Sequence, residues 1–152
     1  MQARDVMTTE VAAVSPDTPT RQVARLLLER RISAMPVVDA SGAPVGMVSE
    51  GDLVGRGASE RAERRDWWLE LLAEGTRLAP SFLEFVKAAD RPVREVMATP
   101  VVTVSEDTEL GAIARLLATH CIKRVPVVRG GRVVGIVSRA DLLRALSTPP
   151  PA

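Results

Sequence analysis

The chain has 152 residues, 46% of them apolar and 26% charged, a composition that excludes disordered and fibrous classes and suffices for an ordinary buried core. Its 20 Lys and Arg against 19 Asp and Glu leave a net charge of +1, so nothing points to a protein held to nucleic acid or to a membrane surface by bulk charge. A single cysteine, Cys121, makes no internal disulfide, and the charged start "MQARDVMTTE" together with the lack of any apolar run near about 18 residues leads to the expectation of a soluble, cytoplasmic chain.

In chain order, the first predicted element is a short strand around Val11 to Val14. Thr18 is placed to cap the helix that follows, with Pro19 at its first position. "ISAMPVV" and "VGMVS" then read as two apolar strands joined across "DASGAP", and "SEGDLV" begins a second helix.

Residues 57–93 break this pattern. Glu60 precedes Arg64 by one helical turn, and Trp67, Trp68, Leu71 and Leu72 keep helical spacing, which predicts an amphipathic helix closing near Gly75. A second helix is expected after Pro80, where Ser81 to Glu84 has the form of a capping box and Phe82, Phe85 and Val86 supply the apolar stripe. Two readings stand for this insertion: the helices cover the protein's own hydrophobic surface, or the two tryptophans anchor a dimer or effector contact.

The earlier pattern then returns. "VVTV", Val101 to Val104, predicts a strand, and Thr108 is placed to cap a helix whose stripe is Leu110, Ile113, Leu116 and Leu117. "RVPVV" and "RVVGIV" flank Gly130 and Gly131, the signature of a two-residue hairpin, and "SRADLLRAL" is again helical. Met7 aligns with Met97, Ser15 with Ser105 and Pro36 with Pro126, an offset of 90 throughout; past the hairpin turn, Ser49 and Asp52 align with Ser138 and Asp141 at 89. The organisation is therefore a β-α-β-β-α repeat at 1–56, a helical insertion at 57–93, a second repeat at 94–146 and a Pro-rich tail at 147–152. One repeat leaves a sheet face uncovered, so the expected fold is α/β (α+β), two repeats packed as a pseudo-twofold pair.

A tandem of such units with "DVMT" near the start, "ISAMPVV" or "IKRVPVV" in the middle and "GMVSEGDL" or "GIVSRADL" at the end resembles the cystathionine β-synthase (CBS) domain pair, or Bateman module. The resemblance covers both repeats. It implies a non-catalytic regulatory module whose clefts take adenosine-containing ligands: AMP, ADP or ATP first, with NAD or S-adenosylmethionine as further candidates. It also implies stacking as a flat homodimer, and an effector protein that the sequence does not name.

Ser49 and Asp52, like Ser138 and Asp141, have two readings. One is a capping box at a helix start. The other is a carboxylate placed to accept the two hydroxyls of a ribose, the role that the resemblance implies. The two copies differ beside the hairpin proline, where Ser33 and Ala34 in one stand against Lys123 and Arg124 in the other, a cation pair suited to a phosphate unless it is simply a solvated strand end. Met47 and Ile136 either cover an adenine face or belong to the core. The resemblance further implies that each cleft borrows the opening segment of the opposite repeat. That groups Thr8, Thr9 and Val11 with Lys123, Arg124, Ile136, Ser138 and Asp141, and groups Thr99, Pro100 and Val102 with Ser33, Met47, Ser49 and Asp52.

Enzymatic chemistry has little support. His120 and Cys121 are adjacent at a helix end and point in different directions, no Cys/His set has zinc spacing, and no GxxxxGK[ST] phosphate loop is present. No catalytic residue and no metal ligand is expected, and the competing class is an assembly module with vestigial clefts.

Overall fold

A computed structural model describes residues 1–54 and 90–147; the predicted insertion helices, Trp67 and Trp68 among them, and the tail from Thr148 onward lie outside the described residues. In chain order the elements are α1 (Ala3–Val6), α2 (Thr20–Arg30), β1 (Ala34–Val38), β2 (Pro44–Ser49), α3 (Glu50–Val54), a 3-10 turn (Val93–Glu95), β3 (Val104–Ser105), α4 (Leu110–His120), β4 (Arg124–Arg129), β5 (Arg132–Ser138) and α5 (Arg139–Ser147). The last helix thus runs one residue into the segment expected to be tail.

The chain divides into two compact units, and the division does not follow the two repeats. One unit comprises Met1–Ala12, Ala40–Pro44 and Val101–Ala152; the other comprises Ala13–Asp39 and Val45–Pro100. Each repeat therefore gives up its opening segment to the unit built on the other repeat's helices and hairpin.

In the first unit, β3, β4 and β5 form a sheet in that order, β3 parallel to β4 and β4 antiparallel to β5. Gly130 and Gly131 adopt φ of 58° and 77° between paired Arg129 and Arg132, the primed two-residue turn that only glycine takes without strain. The register slips between Val127 and Val128, a bulge that brings Gly135 opposite Val127. Ala3, Val104, Ile113, Leu117, Val125, Val127 and Val137 form the core, with Leu110 and Leu116 at its margin, so the α4 stripe lies where its spacing places it. Residues 40–44 join this unit through Ser41, whose carbonyl accepts from the Arg132 Nε at 2.8 Å, and Gly42, whose carbonyl accepts from the Val133 N–H at 3.0 Å.

The second unit repeats the plan with a two-stranded β1–β2 sheet, Val14 bridging in parallel to Val37. Its core is Val14, Val23, Ala24, Leu27, Met35, Val37, Val48, Leu53, Val93 and Val96. Asp90, within the 57–93 segment, ties α2 down: its Oδ1 accepts from the Thr20 hydroxyl and from the Arg21 N–H, both at 3.1 Å.

Two local expectations are corrected. The first strands are shorter than the apolar runs suggest, a two-residue β3 in one unit and the single Val14 bridge in the other, because the residues just before them carry the chain from one unit to the other and find no ladder partner. Thr18 and Thr108 do not cap α2 and α4, which start at Thr20 and Leu110. Each threonine hydroxyl instead accepts from the N–H of the serine three residues back, Ser15 or Ser105, at 3.1 Å, closing a turn ahead of the helix. Both helices end alike: Arg31 and Cys121 sit in the left-handed region at φ 54° and 53°, and Ile32 and Ile122 donate to the carbonyls of Leu27 and Leu117 at 3.0 Å.

Candidate functional site

Each unit carries one Ser-x-x-Asp motif where a strand turns into a helix. In the first unit Ser138 closes β5 and Arg139 opens α5, its N–H donating to the Lys123 carbonyl at 2.9 Å. The Asp141 carboxylate folds back on this junction. Its Oδ2 accepts from the Ser138 N–H at 2.8 Å and from the Ser138 hydroxyl at 3.0 Å, while the Asp141 N–H donates to the Ser138 Oγ at 3.3 Å. Its Oδ1 accepts from the Arg144 guanidinium one turn along α5. These are the reciprocal bonds of a capping box, with a negative charge at the positive end of the helix. Asp141 is 4% exposed, a burial that a carboxylate tolerates because both oxygens are occupied.

The second unit builds the same junction. Asp52 Oδ2 accepts from the Ser49 N–H at 2.9 Å and the Ser49 hydroxyl at 3.0 Å, and the Glu50 N–H donates to the Ser33 carbonyl at 3.0 Å. Asp52 is more open than Asp141. The residue matching Arg144 in the sequence is Gly55.

Beside each junction lies the borrowed opening segment. Thr8 and Ile136 exchange both backbone hydrogen bonds, at 2.9 and 3.0 Å, and Ala98 and Met47 do the same at 2.7 and 3.1 Å. The glycines of "VGIVS" and "VGMVS" make room for this pairing: a Cβ on Gly135 would stand 2.9 Å from the Met7 Cγ, and one on Gly46 the same distance from the Met97 Cγ. The repeated Met and Gly are thus one contact made twice, by residues more than a hundred positions apart in one case and about fifty in the other. That contact was not read from the sequence, though the shared offset of Met7 and Met97 was its signal.

One end of the first unit's sheet therefore gathers Thr8, Ile136, Ser138, Asp141, Lys123 and Arg124, the last facing Ser138 across the ladder. Thr9 and Val11 follow in the same unit, linked by a 3.1 Å bond from the Val11 N–H to the Thr9 carbonyl. The second unit holds Ser33, Met47, Ser49 and Asp52 with Thr99 and Pro100, whose shared peptide bond is cis. Val102 belongs to the first unit.

The first unit also presents an apolar groove of about 600 Å³ between α4 and α5. Leu117 and Leu142 line it, with Leu143 and Leu146 67% and 83% exposed, and Lys123 and Arg139 border it. Among the described residues, no helix is long and apolar enough to cross a membrane.

Duplicated sheets, exchanged opening segments and paired strand-to-helix motifs define a CBS-domain pair. Residues 3–58 and 93–148 match the CBS domain family, and the chain belongs to it. It is similar to the CBS domain-containing protein YhcV of Bacillus subtilis (strain 168), 32% identical over 139 residues covering 91% of this chain and 81% of that protein. Among solved structures, it is similar to the CBS domain of a CBS domain containing membrane protein from Sphaerobacter thermophilus, at 33% identity and a TM-score of 0.68 over 95% of this chain and 86% of that one. It is also similar to CBSX2 of Arabidopsis thaliana, whose structure was determined in complex with AMP, at 28% identity and a TM-score of 0.68 over 95% of each chain.

Proposed function

We propose that this chain is a non-catalytic regulatory module that senses an adenosine-containing ligand, an adenine nucleotide foremost, and passes the binding event to a partner or a second copy. The observation that carries this reading is the junction built twice, in which the opening segment of one repeat is hydrogen-bonded beside the Ser-x-x-Asp helix start of the other. The similarity to CBSX2, a protein known in complex with AMP, supports it.

At such a junction the carboxylate accepts ribose hydroxyls, Ile136 or Met47 offers an apolar face to the base, and Lys123 with Arg124 meets phosphate at the start of α5. The cleft of Ser138 and Asp141 is then the one for phosphorylated adenosine. The cleft of Ser49 and Asp52, with Ser33 in place of the lysine and Glu50 nearby, suits a less anionic ligand. A ligand held by both an opening segment and a helix start stabilises the arrangement that presents both, by its differential affinity for that arrangement.

Calorimetric titration of AMP and adenosine into wild type, Asp141→Ala, Asp52→Ala and Lys123→Ala tests this reading. Bonds to a charged group contribute about 1.5–3 kcal/mol, so Asp141→Ala lowers AMP affinity about 10- to 100-fold at its own cleft, and Asp52→Ala spares it. Lys123→Ala weakens AMP more than adenosine. Equal AMP binding by wild type and Asp141→Ala reduces the motif to a helix cap.

A second reading, assembly through the helices, is favoured by the exposed Leu143 and Leu146 beside the α4–α5 groove. It makes the chain a homodimer whose mass by light scattering falls to that of a monomer on Leu146→Glu.

A further inference from the structure

We infer that Arg144 is a latch on the Ser138–Asp141 cleft, a side chain that a nucleoside must displace before its ribose reaches the carboxylate. The inference rests on reading that cleft as a nucleoside site and adds a residue outside the motif. Asp141 Oδ2 already receives two donors from Ser138. The oxygen left for a ligand is Oδ1, and the Arg144 guanidinium holds it. With Asp141 4% exposed, a ribose diol has no open carboxylate to approach.

Arg144 is suited to leave. Its side chain is 71% exposed and one turn beyond Asp141, so solvent reaches the guanidinium that covers the carboxylate. Because Asp141 is buried, the pair yields only to a ligand that brings replacement donors to Oδ1. Departure costs Asp141 little while the incoming hydroxyls replace the lost donor. At the matching position the second repeat's sequence has Gly55, and Asp52 is the more open carboxylate. The two clefts are therefore unequal in two opposed ways: the one richer in cations for phosphate is also the one that is closed at rest.

The test is calorimetric titration of the full chain with AMP, adenosine and 2′,3′-dideoxyadenosine. It uses wild type, Arg144→Ala and Arg144→Lys, each in an Asp52→Ala background that isolates the cleft, with a melting curve for every variant. Arg144→Ala binds AMP and adenosine about three- to tenfold more tightly, and Arg144→Lys falls between it and wild type. The dideoxy compound, which has no diol to place on Oδ1, shows no such gain. Unchanged or weaker binding of AMP by Arg144→Ala overturns the latch and leaves the cleft reading intact, as does an equal gain for the dideoxy compound. Absence of binding by all three compounds to both wild type and Arg144→Ala overturns the cleft reading, and the latch with it.

Discussion

Replacing Gly135 with alanine puts a methyl group into the seam where Met7 crosses β5. The new Cβ stands 2.5 Å from the Met7 Sδ, 2.9 Å from its Cγ and 3.1 Å from the Thr8 carbonyl oxygen. The sulfur is near the end of a flexible side chain and moves cheaply. Thr8 does not, because its N–H and carbonyl are both bound to Ile136, at 2.9 and 3.0 Å. Overpacking of this kind costs about 1–3 kcal/mol, and the gain from a less flexible unfolded chain offsets about 0.5–1 kcal/mol of it. The net loss is up to about 2.5 kcal/mol, or a melting temperature lower by up to about 10 °C for a chain of this length. Thermal denaturation measures it, and a double-mutant cycle with Met7→Ala assigns it: Met7→Ala destabilises less in the alanine background than in wild type, because the truncation relieves the clash. AMP affinity falls in Gly135→Ala as well, since Thr8 must shift along the edge of the proposed cleft. A variant as stable as wild type, with no coupling to Met7, would refute the account of why the repeated glycine follows each valine.

Three further outcomes follow from local geometry. Asp90→Ala removes the acceptor shared by the Thr20 hydroxyl and the Arg21 N–H and lowers stability by about 0.5–2 kcal/mol in denaturant titration; no loss would mean that α2 starts well without it. Arg31→Gly relieves a left-handed residue at φ 54° and raises stability by about 0.5–1 kcal/mol, whereas destabilisation would show that the arginine side chain contributes more than its backbone strain costs. The hydrogen bond from the Ser105 hydroxyl at 2.5 Å, followed by a backbone N–H, holds the exposed Asp107 carboxyl below its ordinary range, so its contribution to stability is present above the unfolded-state value and is lost as pH falls through the folded one. Carbon-detected NMR titration sees this carboxyl ionise at lower pH than a free aspartate; Ser105→Ala moves it back up, and an unmoved midpoint would show that the serine is not the cause.

The elements that were legible in the sequence are those whose cause is local. Gly130–Gly131 predicts its hairpin because two positive φ angles in succession leave few alternatives, and Ile113 and Leu117 fall on the buried face of α4 because helical spacing demands it. Ser138 and Asp141 make the capping box that their spacing allows. Thr18 and Thr108 were misplaced because a threonine ahead of a helix has two donors in reach, and here the N–H of the preceding serine takes the hydroxyl. Contacts set by the tertiary path were not legible: Met7 against Gly135, Asp90 against Thr20, and the two-residue extent of β3, which depends on where the chain leaves one unit for the other. Arg144 lies between these cases. Its spacing from Asp141 allows a helical ion pair, but only the burial of the carboxylate makes that pair an obstacle.

The exchange of opening segments also sets a timetable for biosynthesis. Residues 1–12 leave the ribosome well before the strand that receives Thr8, which contains Ile136. At about 5–20 residues per second the first dozen residues wait roughly 6–25 s for a place to bind, and the amide and carbonyl of Thr8 remain hydrated until then. Neither unit can close while only the first repeat has emerged, and β2 waits for Ala98 before Met47 finds its partner. A gene cut at the boundary between the repeats would encode neither unit.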